Sequence, residues 1–411
     1  MVRSGCCLLF LQQLTQQGSY YRYAFEFDNM PDYPHFGVWP DGYYVSVNQF
    51  SSSFEGAGVA AFERDEMLNG LAAEMVFFDM GTNYGNLLPA DCDGAFPALG
   101  TPNYFTYFND DAWGGSDELE VWAFDVDWTN TSNSTFTVVN SIPVTAFDSD
   151  INGSVISYSR DNLSQPGTSQ KLHVMSDRLM YRLQFRDFGT YQAMVVCHTI
   201  DVGGERAGMR WYELRRTTGN WSKYQEGTYA PDDGNNRWMG SIAMNGNGDI
   251  ALGYSVVSSS TYPSIRYTGR LATDPLNTMT IAETEIIAST SSQTGVNRWG
   301  DYSCMSVDPV NDLNFWYTQE YTSGGWDWLT RIAAFSLEDF GDPSLSASGV
   351  STSQIDLSWT QNSDGDNVMV AWSVDGTFGT PIDGTSYSAG NSISGGGTVL
   401  YVGLHLSAIL F

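Results

Sequence analysis

Apolar and polar residues alternate through most of this chain in short runs, the period-two signature of half-buried β-strands. Tyr20-Tyr21-Arg22-Tyr23-Ala24-Phe25-Glu26-Phe27 is one such strand. Residues 32–39 and 43–47 form the arms of a hairpin about Pro40-Asp41-Gly42, where Asp-Gly is expected to supply the positive φ of a tight turn. Strands are expected next at 58–63 and 74–79, with a helical turn at 64–71 between them. Further alternating runs lie at 104–108, 119–126 and 135–139. Residues 148–171 are polar, rich in Gly, Ser and Asn, and lack any period, so the sequence predicts a long surface excursion there.

One phrase recurs. Arg298-Trp299-Gly300-Asp301-Tyr302 leads into the apolar Cys304-Met305-Ser306-Val307, then a turn and a second strand, Phe315-Trp316-Tyr317. Arg237-Trp238-Met239-Gly240 opens the same sequence of events, and a looser copy starts at Arg178. The intervals from 178 to 237 and from 237 to 298 are 59 and 61 residues. A repeat of this length built from short strands points to a β-propeller, in which each repeat is one blade. Residues 18–340 supply five blades and the last strand of another, so the expected parent is six-bladed with its first blade largely missing. Residues 1–17 are then a non-native or signal-like segment in place of that blade.

The pattern changes at Asp342-Pro343. Residues 345–350, 354–359 and 367–372 resemble the first strands of a fibronectin type III sandwich, with Trp359 as its inward core residue. Such a module takes roughly 90 residues, near the ~100 of related sandwiches, whereas residues 343–411 supply 69. The expectation is a truncated module, since residues 402–411 are unlike a strand finish.

Composition narrows the partners. Asp and Glu outnumber Lys and Arg 47 to 18, a formal charge of −29. Such a surface repels nucleic acid and anionic membrane, and suits a secreted or cell-surface monomer kept soluble where salt screens the repulsion. No apolar run approaches the ~18 residues of a membrane span. Cys92, Cys197 and Cys304 are far apart, Cys197 and Cys304 lie in apolar strand patterns that suggest buried thiols, and the four histidines show no metal spacing.

Taken together, residues 32–44 (DYPHFGVWPDGYY), 107–114 (YFNDDAWG), 207–213 (AGMRWYE), 262–270 (YPSIRYTGR) and 298–308 (RWGDYSCMSVD) resemble secreted bacterial, sialidase-like β-propeller proteins that carry fibronectin type III modules. The resemblance implies the propeller fold. It implies no particular reaction and carries over no functional residue.

Arg178, Arg237 and Arg298 stand at matching places in three repeats, with Arg182 nearby. Guanidinium forks converging on a channel would hold a carboxylate or sulfate; alternatively each strengthens its own blade by pairing with a carboxylate and stacking on an aromatic ring. Asp32, Tyr33, Asp301 and Tyr302 are candidates for acid, base or nucleophile beside them. Asp110 and Asp111, in Asn109-Asp110-Asp111-Ala112-Trp113, are a second acid/base candidate and a possible Ca²⁺ site, no other cofactor being expected. Trp113 and Trp299 are candidate sugar platforms. The sialidase Asp-box is absent from the repeats, and Ser373-Val374-Asp375-Gly376-Thr377-Phe378 matches it only superficially. Two functions fit: a protein that binds glycan or mediates adhesion without catalysis, or a glycoside hydrolase or lyase acting on acidic polysaccharide through an arginine-lined funnel.

Overall fold

A computed structural model of the protein describes residues 4–11, 20–337, 345–351, 354–359, 368–382 and 385–403. The chain divides into two compact units, Met1–Leu337 and Glu338–Phe411.

The first unit is all-β apart from short helical turns such as Arg64–Asn69, which ends where Gly70 takes a left-handed φ of 72°. Among the described residues five antiparallel meanders follow one another. Met30–Val38, Gly42–Phe50, Phe54–Glu63 and Met75–Asp79 make the first, and Leu88–Asp93, Asn103–Asn109, Glu118–Asp125 and Thr135–Pro143 the second. Leu179–Asp187, Gln192–Asp201, Ala207–Arg216 and Ser222–Tyr229 make the third. Asn236–Met244, Ile250–Val257, Ser264–Arg270 and Ile281–Ala288 make the fourth, and Cys304–Val307, Phe315–Gly324 and Asp327–Phe335 the fifth. First strands of successive sheets lie against one another, and those of the second and third sheets pair in parallel from Leu183 opposite Ala90 to Arg186 opposite Asp93. Burial follows this order. Asn236–Met244 and Ile250–Val257 are almost wholly buried, whereas Ile281–Ala288, last in the same sheet, is largely exposed. The result is the curled, propeller-like course that the repeat predicts. Ser4–Leu11, within the segment expected to be non-native or signal-like, forms a strand antiparallel to Tyr20–Phe27, with Ser4 opposite Phe27.

Two details depart from the sequence expectation. Gly42 does not adopt a positive φ; a Cβ there would press on the Tyr44 ring, so close packing is what requires the glycine. Residues 148–171 are part of a packed cap rather than a loose surface excursion. Ile151, Leu163, Leu172, Val174 and Met175 are fully buried in one core with Tyr33, Trp238 and Trp299. Gln165 exchanges hydrogen bonds with the Gln293 backbone at 3.0 and 2.9 Å, and the His173 N–H donates to the Asn297 carbonyl at 2.8 Å. The apolar residues of the cap are isolated among turns, so no period betrays them.

The first and second sheets meet so closely at Gly37 that a Cβ would overlap the Ala90 carbonyl. Gly37→Ala is therefore expected to cost about 1–3 kcal/mol by forcing the strands apart. Denaturant titration should show this as a lower midpoint with an unchanged slope.

In the second unit Leu345–Ser351 pairs with Gln354–Trp359, and Val368–Trp372 with Thr398–Gly403. The packing expected of the Trp359 side chain, and residues 404–411, lie outside what is described.

Candidate functional site

The site is built where first strands begin. In the first, third and fourth sheets the first strand is interrupted there: pairing skips between Asp32 and His35, Met180 and Gln184, and Trp238 and Ser241. Such bulges twist a strand and re-aim its side chains. Tyr33 and Met239 take left-handed φ values of 53° and 49° in these interruptions, and Gly300, which matches Met239 in the recurring phrase, takes 45°. A left-handed Tyr or Met costs on the order of 1–3 kcal/mol and persists only where surrounding packing enforces it.

The beginnings of the first, third and fifth sheets converge. The Arg178 guanidinium lies 4.9 Å from the Tyr33 ring centre and holds Asp177 in a fork, Nε to Oδ1 at 2.7 Å and Nη2 to Oδ2 at 2.9 Å. Tyr33 lies 5.5 Å from the Tyr302 ring and meets His35 edge-on at 4.3 Å, while His35 stacks on Tyr181. Asp301 binds Arg298, and Asp32 is close enough to influence the ionisation of Asp301 and Tyr302. Asp32, Tyr33, Arg178, Arg298, Asp301 and Tyr302, scattered through the sequence, thus share one locale.

Electrostatics separates the carboxylates. Burial raises the Asp301 pKa above the usual carboxylate range, more than Arg298 lowers it. Burial also works to raise Asp177, but there the Arg178 pair outweighs it and the net pKa is low. Two carboxyl groups with pKa values pushed apart are what acid/base chemistry needs. Tyr33 is pushed up to about 12 by burial, with Arg178 opposing, so its hydroxyl keeps its proton and is no base.

Beside this centre runs a cleft of about 560 Å³ with Asp177 and Arg178 in its wall. Phe50, Phe54, Tyr84, Tyr107 and Trp113 give it an aromatic lining, and Ile156 and Tyr158 bring the cap to its edge. Trp113 is exposed and backed by Phe108 at 5.1 Å. Asn48 and Asn86 are locked to each other by hydrogen bonds of 2.7 and 3.0 Å. Flat apolar faces mixed with fixed amides suit the two sides of a sugar ring.

The remaining sequence candidates lie elsewhere. Arg237 is 1% exposed and spans Asp233 and Glu283, with Nη2 to Asp233 at 2.7 Å and Nε to Glu283 at 2.8 Å. Arg182 is buried against Asp91 and Asp93 at 2.8 and 2.5 Å. Both are struts between strands, because a buried guanidinium must be matched by carboxylates. Trp299 is buried, its indole N–H donating to Ser255 at 3.0 Å, so it is a core residue and no sugar platform. Asp110, Asp111 and Asp117 bring one oxygen each within 4.8 Å of one another, as a cation site would. Asp110 is fully buried and its carboxylate accepts from the Ser149 N–H, the Ser149 hydroxyl and the Ala112 N–H, stapling the cap to the second sheet. Asp111 and Asp117 belong to the same turn. The Asp110 and Asp117 carboxylates thus hold this turn together, and Asp111 is exposed beside them.

Two residues of the centre escaped sequence reasoning. Glu320 accepts from the Gly300 N–H at 3.2 Å, leaves its buried Oε1 without a partner, and has its pKa raised to about 7 by burial. Nothing in Phe315-Trp316-Tyr317-Thr318-Gln319-Glu320 singles it out, because its role depends on a glycine from another segment. His35 is 2% exposed, with Nε2 unpartnered, and its pKa is lowered to about 3 by burial and by Arg178. An unfolded histidine takes its proton near pH 6.5, so the unfolded chain binds the proton first and stability falls as the pH drops from about 6.5 toward 3. At pH 5 this site should cost about 2 kcal/mol. His35→Gln is expected to remove that component, and urea melts of both proteins at pH 7 and pH 5 check it. An identical loss in both would show that His35 is not the group responsible.

No family model matches the chain, and no curated protein matches it. Among solved structures it is similar to an α-L-arabinanase from Penicillium chrysogenum in complex with arabinobiose, at 10% identity over 81% of this chain and 82% of that one, TM-score 0.41. It is also similar to a Trypanosoma rangeli sialidase bound to the inhibitor DANA, at 10% identity over 87% of this chain and 57% of that one, TM-score 0.41. A third is the polysaccharide lyase Uly1, at 12% identity over 93% and 95%, TM-score 0.38.

Proposed function

We propose that this protein cleaves glycosidic bonds, with Asp301 as the proton donor and Asp177 as the ionised carboxylate that activates water or attacks the sugar. The observation that carries this reading is the pair of carboxyl groups with opposed pKa shifts around Tyr33, of which Asp177 stands in the wall of an aromatic cleft. The centre differs from an arginine-lined funnel. Arg178 and Arg298 are each already matched by a carboxylate, so their work is to set the ionisation of Asp177 and Asp301. The exposed Tyr302 then orients the bound sugar while the buried Tyr33 holds Arg178 in place, and the cap shields one edge of the cleft from water.

Catalysis replaces the purely adhesive reading because binding alone needs only aromatic rings and fixed amides, not carboxyl groups split in this way. We read the ring as five blades of a six-bladed propeller, with Ser4–Leu11 and Tyr20–Phe27 as strands of the remaining blade. The second unit is read as a partial fibronectin type III module serving as a spacer on a secreted or cell-surface protein. The test is a polysaccharide panel followed by assays for new reducing ends and for ultraviolet-absorbing unsaturated ends. Reducing ends without unsaturation support hydrolysis. Unsaturated ends would replace it with elimination, and neither would return the protein to a binding role.

A further inference from the structure

The cap borders a second cleft, of about 490 Å³, which the proposed reaction does not use. Asn152, Asn162, Ser164 and Lys171 come from the cap, and the facing wall comes from the turns at 204–206, 234–236 and 258–259. Every residue in its lining is polar or glycine. The volume falls in the range of small-molecule sites, but the lining lacks the apolar walls usual there, so the occupant must itself be polar all round.

The cleft is held rigid by its own amides. Asn162 donates to the Ile151 carbonyl at 3.1 Å and accepts from the Val174 N–H at 3.2 Å. Asn236 accepts from the Ala207 N–H at 3.0 Å and donates to the Val257 carbonyl at 3.1 Å. Glu205 is turned to the Asn152 N–H, and Arg206 spends one Nη1–H on the Pro231 carbonyl at 2.8 Å. What remains unspent is mostly cationic. Lys171 is one of two lysines in the chain, and the other, Lys223, is paired with Glu226 at 2.5 Å. Among the described residues neither Lys171 nor Arg206 has a carboxylate in salt-bridge reach, although acidic residues outnumber basic ones 47 to 18. The one carboxylate of the lining, Glu205, is held by the Asn152 N–H, so the half-buried Lys171 and Arg206 keep charged N–H donors that an outside anion can accept from.

We infer that this second cleft binds the carboxylate or sulfate group of an acidic sugar, with Lys171 and Arg206 as the charge-bearing contacts and the Ser164 and Ser259 hydroxyls available to the ring. The choice of a sugar as carrier of the anion rests on the proposed glycan-cleaving function; the anion site itself does not. It moves recognition of acidic groups from the carboxylate-matched arginines of the centre to the far edge of the cap.

Calorimetric titration tests this with three probes: an oligogalacturonate, its methyl ester, and a sulfated galactan oligosaccharide. The full chain should bind at least one of the acidic probes about tenfold or more tighter than the ester, with the preference fading as salt is raised. Lys171→Met should weaken that acidic probe by about tenfold and leave the ester unchanged, and Arg206→Gln should do the same. Lys171→Met is the deciding variant, because Lys171 anchors nothing, whereas Arg206 also supports the Pro231 turn. An unchanged thermal midpoint confirms that the variants are folded. Equal affinity for acid and ester, or acid binding unaffected by Lys171→Met, overturns the inference even if glycans are cleaved. Binding lost in Lys171→Met with no glycan cleaved by the full chain would instead keep this site and remove the proposed reaction.

Discussion

Replacing Asp301 with asparagine should lower the rate of glycan cleavage by roughly 10²–10⁴-fold, the usual worth of a positioned general acid, while leaving affinity for the uncleaved glycan nearly unchanged. Asparagine keeps the size and one acceptor for Arg298 but has no proton to give. The same variant should alter the pH profile in a defined way. In the unsubstituted protein the acid limb reports Asp177, whose low pKa reflects the Arg178 pair overcoming burial, and the alkaline limb reports Asp301, held protonated to higher pH by burial. Asp301→Asn should abolish the alkaline limb and keep the acid one. Arg298→Ala should move the alkaline limb upward, because Arg298 opposes the rise of the Asp301 pKa. Full activity in Asp301→Asn would assign proton donation elsewhere, with Glu320, also held protonated by burial and adjacent through Gly300, the next group to substitute.

Arg237→Ala should destabilise the fold by about 1–3 kcal/mol, the cost of removing one of two guanidinium partners from a partly buried carboxylate. Arg237 is 1% exposed, and its two carboxylates are unequal: Glu283 is 15% exposed and Asp233 37%. Solvent screens Asp233, so the loss falls chiefly on Glu283, which also accepts from the Tyr254 hydroxyl at 2.8 Å and from Arg266 at 2.8 Å. Removing Arg237 thus disturbs a network joining the first, second, third and fourth strands of one sheet. Denaturant unfolding measures the effect. The protein that remains folded should cleave and bind glycan normally, because Arg237 belongs to no part of the Asp177–Asp301 centre. A loss of glycan binding without a loss of stability would return Arg237 to the site.

The contrast between Arg178, Arg298 and Arg237 shows how far the sequence reaches. Their spacing reveals the repeat, since matching positions in successive sheets recur at matching intervals. It does not reveal where each side chain goes. Arg237 turns along its own sheet to Glu283, whereas Arg178 faces Tyr33 from the first sheet. Trp299 illustrates the same limit: the residue before it and the two after it reach the centre, but its own ring turns into the core against Trp238 at 6.1 Å. A bulge changes which way neighbouring residues point, and strand period cannot register that.

By itself the sequence determined the all-β class, the repeat, the turn at Arg64–Asn69 and most strand positions, because each follows from alternation, glycine placement or turn chemistry over a few neighbouring residues. It also placed Asp32, Tyr33, Asp301 and Tyr302 beside the arginines at the starts of repeats. Only the tertiary structure decided which of these residues meet, which arginines are struts, that residues 148–171 are part of a packed cap, and that Glu320 and His35 belong to the centre. Those outcomes depend on contacts between residues far apart in the chain, where burial and pairing set both direction and ionisation, and no local pattern encodes them.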